Sequence, residues 1–457
     1  MTTKKMNERE ICLELVMEAA EQGEYVHVLL RNALDRYAGL DKRERSFIVR
    51  VTEGTIEYML QLDAVLNRYS RTKTDKMKPV IRNLLRISVY QILYMDSVPD
   101  SAVCNEAVKL AVKRKFHGLK GFVNGVLRTI SREAETLTFH SLSEKYSMPQ
   151  WIVNMWLHDY GEAMTEKILQ AFLEPKKLYV RRSLTNCTKE QLLESLKKDG
   201  ISWETAPYID EALLLHVSDN LYSLEAFRKG YFQVQDISSM LVSIAAMPKE
   251  GDQILDVCAA PGGKALHMSD LLYHTGMVEA RDLTDDKVAL IEENIERIGF
   301  TNIHTRKWDA LEFDPAWENR ADIVIADLPC SGLGVIGRKM DIKYHTSAEQ
   351  IQNLQQLQRN ILDTVYRYTK PGGTLIYSTC TISKAENEEN VRWLLENYPL
   401  ESVDLTDCEV LSSMGTASSA DEWQTERDTL RAGYIQLLPG LHKCDGFFIA
   451  KFKRKVL

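Results

Sequence analysis

What this chain does not have narrows its reading first. No window of its 457 residues holds eighteen uninterrupted apolar residues, so no membrane-crossing helix is expected. The opening stretch Met1–Glu10 is charged, and Glu14 and Glu18 follow it. No signal-peptide apolar region is present there, so a cytoplasmic location is expected. Eight cysteines occur without a Cys-x-x-Cys pair or a Cys/His cluster. That argues against zinc or any other metal and against a disulfide framework, and for reduced thiols. No internal repeat is visible, which speaks against an array of stacked units. An excess of positive charge is missing too: the net charge is −8, so composition alone names no nucleic-acid partner.

What is present is a chain with 44% hydrophobic and 27% charged residues, the balance of a globular protein of several domains. Residues 1–138 read as all helix. Cys12, Leu15, Val16 and Ala19 share one face, as do Ile81, Leu84, Leu85 and Ile92, and Val103, Ala107, Val108 and Ala111, at i, i+3, i+4 spacings. Gly39, Pro79, Pro99, Gly118 and Gly121 mark the connections. Residues 139–235 read as a small α+β segment. Its helices are Trp151–Ala171 and Glu190–Lys198, with a strand at Leu178–Ser183 and short strands around Leu213–Leu215. Residues 236–457 alternate strands and helices. Strand candidates are Gln253–Val257, Met277–Asp282, Ile303–Lys307, Ile323–Asp327, Gly373–Ser378 and Phe447–Phe452; the main helices are Thr284–Ile298 and Ser347–Tyr368. That rhythm predicts a largely parallel, Rossmann-like sheet covered by helices. Residues 404–432, rich in Ser, Thr, Asp and Glu, read as a surface insertion.

Charge is unevenly spread: roughly +5 over the first 140 residues, −2 over the next segment and −11 from residue 236 onward. Lys113, Arg114, Lys115, Lys120 and Arg128 lie close together in the first segment. They form either a dock for a polyanion or a solvated helix face.

The third segment carries the chemistry. Ile254–Val257 is a short buried strand, and the turn Cys258, Ala259, Ala260, Pro261, Gly262, Gly263, Lys264 opens a helix. A helix N-terminus attracts an anionic group, and the glycines let backbone approach a ligand. The turn lacks the G-x-G-x-x-G pyrophosphate fingerprint. Asp282 ends the next strand, where an acid commonly holds ribose hydroxyls, and Asp309, just past the third, is placed to reach an adenine amine. Each aspartate has a plain alternative, capping its own turn or helix. Together they fit S-adenosylmethionine better than NAD, because that cofactor needs a carboxylate-accepting turn and a ribose acid but no pyrophosphate loop.

Two cysteines follow strand candidates: Cys330 in Asp327-Leu328-Pro329-Cys330-Ser331-Gly332 and Cys380 in Ser378-Thr379-Cys380-Thr381. In open α/β sheets ligands bind beyond the carboxyl ends of the strands. A thiolate adding to C6 of a pyrimidine makes C5 electron-rich enough to take a methyl group, and a second group must then help proton loss and C6–S cleavage. A carboxylate such as Asp327 would stabilise charge developing on the ring. The plain alternative is two small buried hydrophobes.

Asp256–Lys264, Asp327–Gly332, Ser378–Thr381, Gln233–Ser239, Gly334–Lys343 and Cys444–Ala450 together resemble the signatures of RNA cytosine-C5 methyltransferases. Asn105–Ala111 and Phe122–Arg128 resemble a NusB-type RNA-binding domain. The combination is similar to the bacterial ribosomal RNA small-subunit methyltransferase B family and covers nearly the whole chain. Met340 and Leu328 depart from residues common in that family. The resemblance implies a NusB-like helical domain, an α+β linker domain and a Rossmann-like methyltransferase domain. It implies S-adenosylmethionine as cofactor, held by Cys258–Lys264, Asp282, Asp309 and Asp327. It implies small-subunit ribosomal RNA as partner, with no DNA, no membrane and a monomeric chain. In that family the Thr-Cys cysteine, here Cys380, is the nucleophile and the Pro-Cys cysteine, here Cys330, assists release; Asp327 serves both ligands. Arg338, Lys339 and Lys343 read as a second RNA-facing basic cluster. A transfer RNA substrate, or a non-catalytic antitermination factor on a retired methyltransferase fold, remain the alternatives.

Overall fold

The computed structural model describes residues 7–217, 221–414 and 420–456. It divides into two compact units, one holding residues up to Leu173 together with Arg338–His345, the other Glu174–Gly337 with Thr346 onward. No helix among the described residues is long and apolar enough to cross a membrane.

The first unit is all helix, as its periodicity dictates. Helices Glu8–Gln22, Val26–Arg36, Lys42–Glu57, Met59–Tyr69, Pro79–Tyr94, Asp100–Lys113 and Lys120–Glu133 make the bundle. Their starts are chemically specified. Asn7 accepts from the Arg9 amide, Asp41 and Glu44 form a reciprocal capping box, and Pro79 opens its helix, where a missing N–H costs nothing. Pro79–Tyr94 is the central helix, with Ile81, Leu84, Leu85, Ile87 and Val89 all buried. A Cβ at Gly54 would lie 2.1 Å from the Tyr90 ring, so only glycine lets that ring pack against the neighbouring helix. Gly121 lies inside the first turn of its helix rather than in a connection. The long helix Gln150–Phe172 bends at Gly161, whose φ is 73°. Lys113 and Arg114 are drawn into ion pairs with Glu10 and Glu14, which offsets part of the basic cluster's charge.

The segment Arg338–His345 corrects one expectation. Met340 packs in the bundle core, Asp341 accepts from the Val26 amide at 2.7 Å, and the Tyr344 hydroxyl donates to the Ile56 carbonyl. Lys343 is 2% exposed, and its Nζ donates to the carbonyls of Glu57 at 2.7 Å and Ser147 at 2.6 Å. An RNA-facing role for Lys343 is therefore wrong. The cause is the apolar company of its neighbours, which carries the stem and its amine inside.

The second unit starts with a four-stranded antiparallel sheet, β1 (Leu178–Arg182), β2 (Ser202–Thr205), β3 (Ala212–His216) and β4 (Phe232–Val234), ordered β2-β3-β1-β4. The helix Lys189–Lys198 packs Leu192 and Leu196 against it, started by a Thr188–Gln191 capping box. The main sheet follows: β5 (Gln253–Asp256), β6 (Met277–Asp282), β7 (Ile303–Lys307), β8 (Ala321–Asp327), β9 (Thr369–Thr379), β10 (Leu400–Ser402), β11 (Tyr434–Leu437) and β12 (Phe447–Arg454). Its order is β10-β12-β9-β8-β5-β6-β7, with β11 also on β12. β7 through β9 are parallel and β12 is antiparallel to its neighbours. The buried runs Ile323–Ala326 and Leu375–Tyr377 are what a sheet covered on both faces requires. Arg181, 2% exposed, ties the two sheets: its guanidinium meets Asp270 at 2.8 Å and Gln235 at 3.0 Å.

Residues 404–432 are not merely a surface insertion. Residues 415–419 lie outside the described residues, but Leu405 and Cys408, then Leu411 and Met414 on the helix Glu409–Met414 and Leu430 on the helix Ala420–Arg431, enter the main core. From Leu405 to Met414 the buried residues recur every third position, and the polar composition hid them.

Candidate active site

Strand order reverses at β5, which has β6 on one side and β8 on the other. That is the switch point at which open α/β sheets bind ligands. Because β5, β6, β8 and β9 are parallel, Asp256, Asp282, Asp327 and Thr379 end them on a common edge.

The turn after β5 is pinned from both sides. The Val257 amide donates to Ile325 and the Ala259 amide to Arg281, which places the following helix, Gly263–Leu271, with its first amides at the sheet edge. Gly262 has φ 100°, and a Cβ there would press on Ile291 at 3.2 Å. Asp282 is 4% exposed; it accepts from the Ala260 amide at 3.0 Å and the Leu283 amide at 2.8 Å, with the Lys287 ammonium 3.0 Å away. It thus holds turn and strand end together. Asp309, half-buried, accepts from the Leu311 amide of its own loop at 2.9 Å. Among the described residues no hydrogen bond or ion pair joins its side chain to the other candidates. Asp256 is fully buried and both its carboxyl oxygens lack a hydrogen-bond partner; burial pushes its carboxyl up to about 7. An orphaned buried carboxyl beside free helix amides is the polar lining that a charged, ribose-bearing cofactor fits. Burial also pushes the Cys258 thiol up, with Asp282 next in effect.

Lys264 reaches across to β8, its Nζ 2.6 Å from Asp327 Oδ2, while the Ser378 hydroxyl donates to Asp327 Oδ1 at 2.8 Å. The Lys264 ammonium also lies 5.3 Å from the centre of the Phe447 ring. Burial works against that ammonium, but the Asp327 carboxylate outweighs it and the net direction is upward.

The two candidate thiols are 3.3 Å apart, Sγ to Sγ. The contact with Cys380 and burial drive the Cys330 thiol well above its ordinary value. The loops carrying them are in register: the Leu328 amide donates to Ser378, the Gly334 amide to the Cys380 carbonyl and the Gly446 amide to Gly334. A Cβ at Gly334 would sit 2.0 Å from the Gly446 carbonyl, so this backbone stacking admits only glycine. Asp236, in the Gln233–Ser239 signature, caps the helix Ile237–Ala246 and also accepts from the Asp445 amide at 3.2 Å, which brings these two distant motifs into contact.

The structure therefore brings together Lys264, Asp327, Cys330 and Cys380, and couples Asp282 to the Ala260 amide. Sequence reasoning passed over Asp256 except as a possible turn cap, and passed over Ser378 and Glu386 as participants. Among the described residues no group of three His, Cys, Asp or Glu side chains could hold a metal ion.

Comparison with known proteins bears on this edge and on the whole chain. Residues 243–453 match the 16S rRNA methyltransferase RsmB/F model, residues 6–132 the NusB family, and residues 148–220 the ferredoxin-like domain of RsmF/B-like methyltransferases. The chain is 34% identical over 459 aligned residues to a probable ribosomal RNA small subunit methyltransferase B of Bacillus subtilis, covering 99% of this chain and 100% of that one. It is 31% identical to the ribosomal RNA small subunit methyltransferase B of Salmonella paratyphi A, again covering 99% and 100%. The solved structure of PH0851 superposes with a TM-score of 0.78 over 99% of this chain and 100% of that one, at 23% identity, which is a likeness of fold.

Proposed function

The chain belongs to the ribosomal RNA small subunit methyltransferase B family, and on that premise we propose that it methylates C5 of a cytosine in small-subunit ribosomal RNA. The observation that carries the reading is the pair of thiols at the ends of β8 and β9, 3.3 Å apart and beside the Lys264–Asp327 pair.

Cys380 as thiolate adds to C6 of the flipped base, and the C5=C6 electrons move into the ring. Asp327 faces the ring nitrogen edge, where charge builds, and Lys264 keeps that carboxylate in place. S-adenosylmethionine, when bound by the Cys258–Lys264 turn, Asp282, Asp309 and Asp327, supplies an electrophilic methyl group to C5. Cys330 then assists release: the C5 proton passes to solvent water, its C–H electrons reform the C5=C6 bond, and the C6–S electrons return to Cys380 as thiolate. The three parts divide the labour: residues 1–138 and 139–235 hold RNA, and residues 236–457 carry out the transfer.

A denaturing gel tests this. Cys330→Ala and Cys380→Ala proteins are incubated with unmodified small-subunit ribosomal RNA and S-adenosylmethionine, with transfer RNA alongside. A covalent protein–RNA band from Cys330→Ala alone, with ribosomal RNA alone, is the expected result. A band from Cys380→Ala instead reverses the roles, and a band with transfer RNA changes the substrate.

A further inference from the structure

Glu386 follows Cys380 by six residues, is fully buried, and is engaged by the neighbours of both cysteines. Its Oε1 accepts from the Ser331 amide at 2.8 Å and its Oε2 from the Ser331 hydroxyl at 2.6 Å. The Thr381 hydroxyl lies 2.8 Å from Ser331 Oγ and 3.4 Å from Glu386 Oε2. Since the Ser331 hydroxyl gives its hydrogen to Glu386, Thr381 is the donor toward Ser331. Gln358 supplies the remaining bond to Oε1 at 3.2 Å and also donates to the Pro329 carbonyl at 2.9 Å. None of these donors is a cation. A fully buried carboxylate without a counter-ion is costly, and burial pushes the Glu386 carboxyl up despite hydrogen bonds from Ser331, Gln358 and the Ser383 hydroxyl. Core packing alone would be served by an apolar residue. The second acceptor oxygen holds the residue after Cys330 against the residue after Cys380.

We propose that Glu386 is a positioning residue that clamps Ser331 to Thr381 and so sets the distance at which Cys330 acts on the Cys380 adduct. This rests on the division of labour given above. Glu386 touches neither thiol, and attack by Cys380 proceeds without it. Release, which needs Cys330 in place, does not.

The test separates the two steps with unmodified small-subunit ribosomal RNA, S-adenosylmethionine and the full chain. In Glu386→Ala the clamp is gone. A denaturant-stable protein–RNA adduct accumulates as in Cys330→Ala, its rate of formation stays within about threefold of wild type, and turnover falls about tenfold or more. Glu386→Gln keeps an acceptor for the Ser331 amide, and its NH2 reverses the hydroxyl chain, so turnover stays within about threefold and no adduct accumulates. Ser331→Ala removes the hydroxyl half of the clamp and gives a smaller build-up of adduct; it decides the matter if Glu386→Ala fails to bind S-adenosylmethionine in calorimetry and is therefore misfolded. Adduct formation and turnover falling in parallel in variants that still bind cofactor overturns the clamp, as does wild-type behaviour of Glu386→Ala. Absence of adduct from Cys330→Ala itself overturns the division of labour and the clamp with it, and is told apart because that control does not involve Glu386.

Discussion

Lys264, half-buried, and Lys343, fully buried, lie one in each unit and keep different chemical company. Lys264 faces a carboxylate: burial pulls its ammonium down, the Asp327 charge at 2.6 Å more than restores it, and the side chain remains a cation. Lys343 faces two carbonyls, those of Glu57 and Ser147, and burial lowers it to about 7. The Glu57 carbonyl closes the helix Lys42–Glu57, among the last carbonyls that a helix leaves without a partner, so Lys343 acts there as a donor rather than as a charge. A cation paired with an acid at a sheet edge can organise developing charge; an amine spent on two carbonyls is a peg. Both read alike as basic residues in a ligand-binding stretch.

The sharpest way to break this comparison is to replace each lysine by methionine. Lys264→Met strands the Asp327 carboxylate, and turnover is expected to fall by at least about 100-fold, the order seen when one charge-organising group is removed. Lys343→Met is expected to keep turnover within about threefold, because the removed amine faces only carbonyls. Methyl transfer to ribosomal RNA at saturating cofactor measures both. An equal loss in a folded Lys343→Met would return that lysine to RNA handling.

A smaller effect sharpens the contrast among the acids. Asp282 receives two amides and an ammonium, whereas Asp309 receives one amide of its own loop. Losing charge-assisted hydrogen bonds costs about 1.5–3 kcal/mol, so Asp282→Ala is expected to weaken S-adenosylmethionine binding by roughly 10- to 100-fold. Asp309→Ala is expected to weaken it only a few-fold, about 1 kcal/mol. Titration calorimetry decides; unchanged affinity in Asp282→Ala would remove it from the site.

These lysines also mark where the sequence stops being legible. The parallel sheet could be read because its strands are apolar runs ending in Asp256, Asp282 and Asp327, each followed by turn residues; local pattern and fold agree there. The helical bundle could be read for the same reason. Lys343 could not, since its burial depends on packing of Met340 and Tyr344 into helices almost 300 positions earlier. Glu386 was hidden similarly: in Glu386-Asn387-Glu388 it reads as acid at a helix start, and only the fold carries Ser331 to it. The buried face of 404–432 was masked by composition, because five apolar positions among many polar ones leave the average hydrophilic.

The last comparison concerns stability against pH, and it sets the two units against each other. Lys343 is lowered to about 7 in the fold, while an unfolded lysine titrates near about 10.4. Between those values the unfolded chain holds the extra proton, so stability rises with pH, by at most about 1.4 kcal/mol per unit. Asp256 is raised to about 7 from an ordinary value near about 3.9, so between those values the folded chain holds the extra proton and stability falls as pH rises. Lys343→Met should therefore gain most over wild type at pH 7 and below and lose that gain toward pH 10. Asp256→Asn should show no gain near pH 4 and its full gain above pH 7. Hydrogen exchange read at matched pH on the helix Pro79–Tyr94 and on β8 reports each unit separately. A gain for Lys343→Met that is flat from pH 7 to 10 would mean that the amine is protonated inside the bundle, and the two lysines would then differ only in their partners.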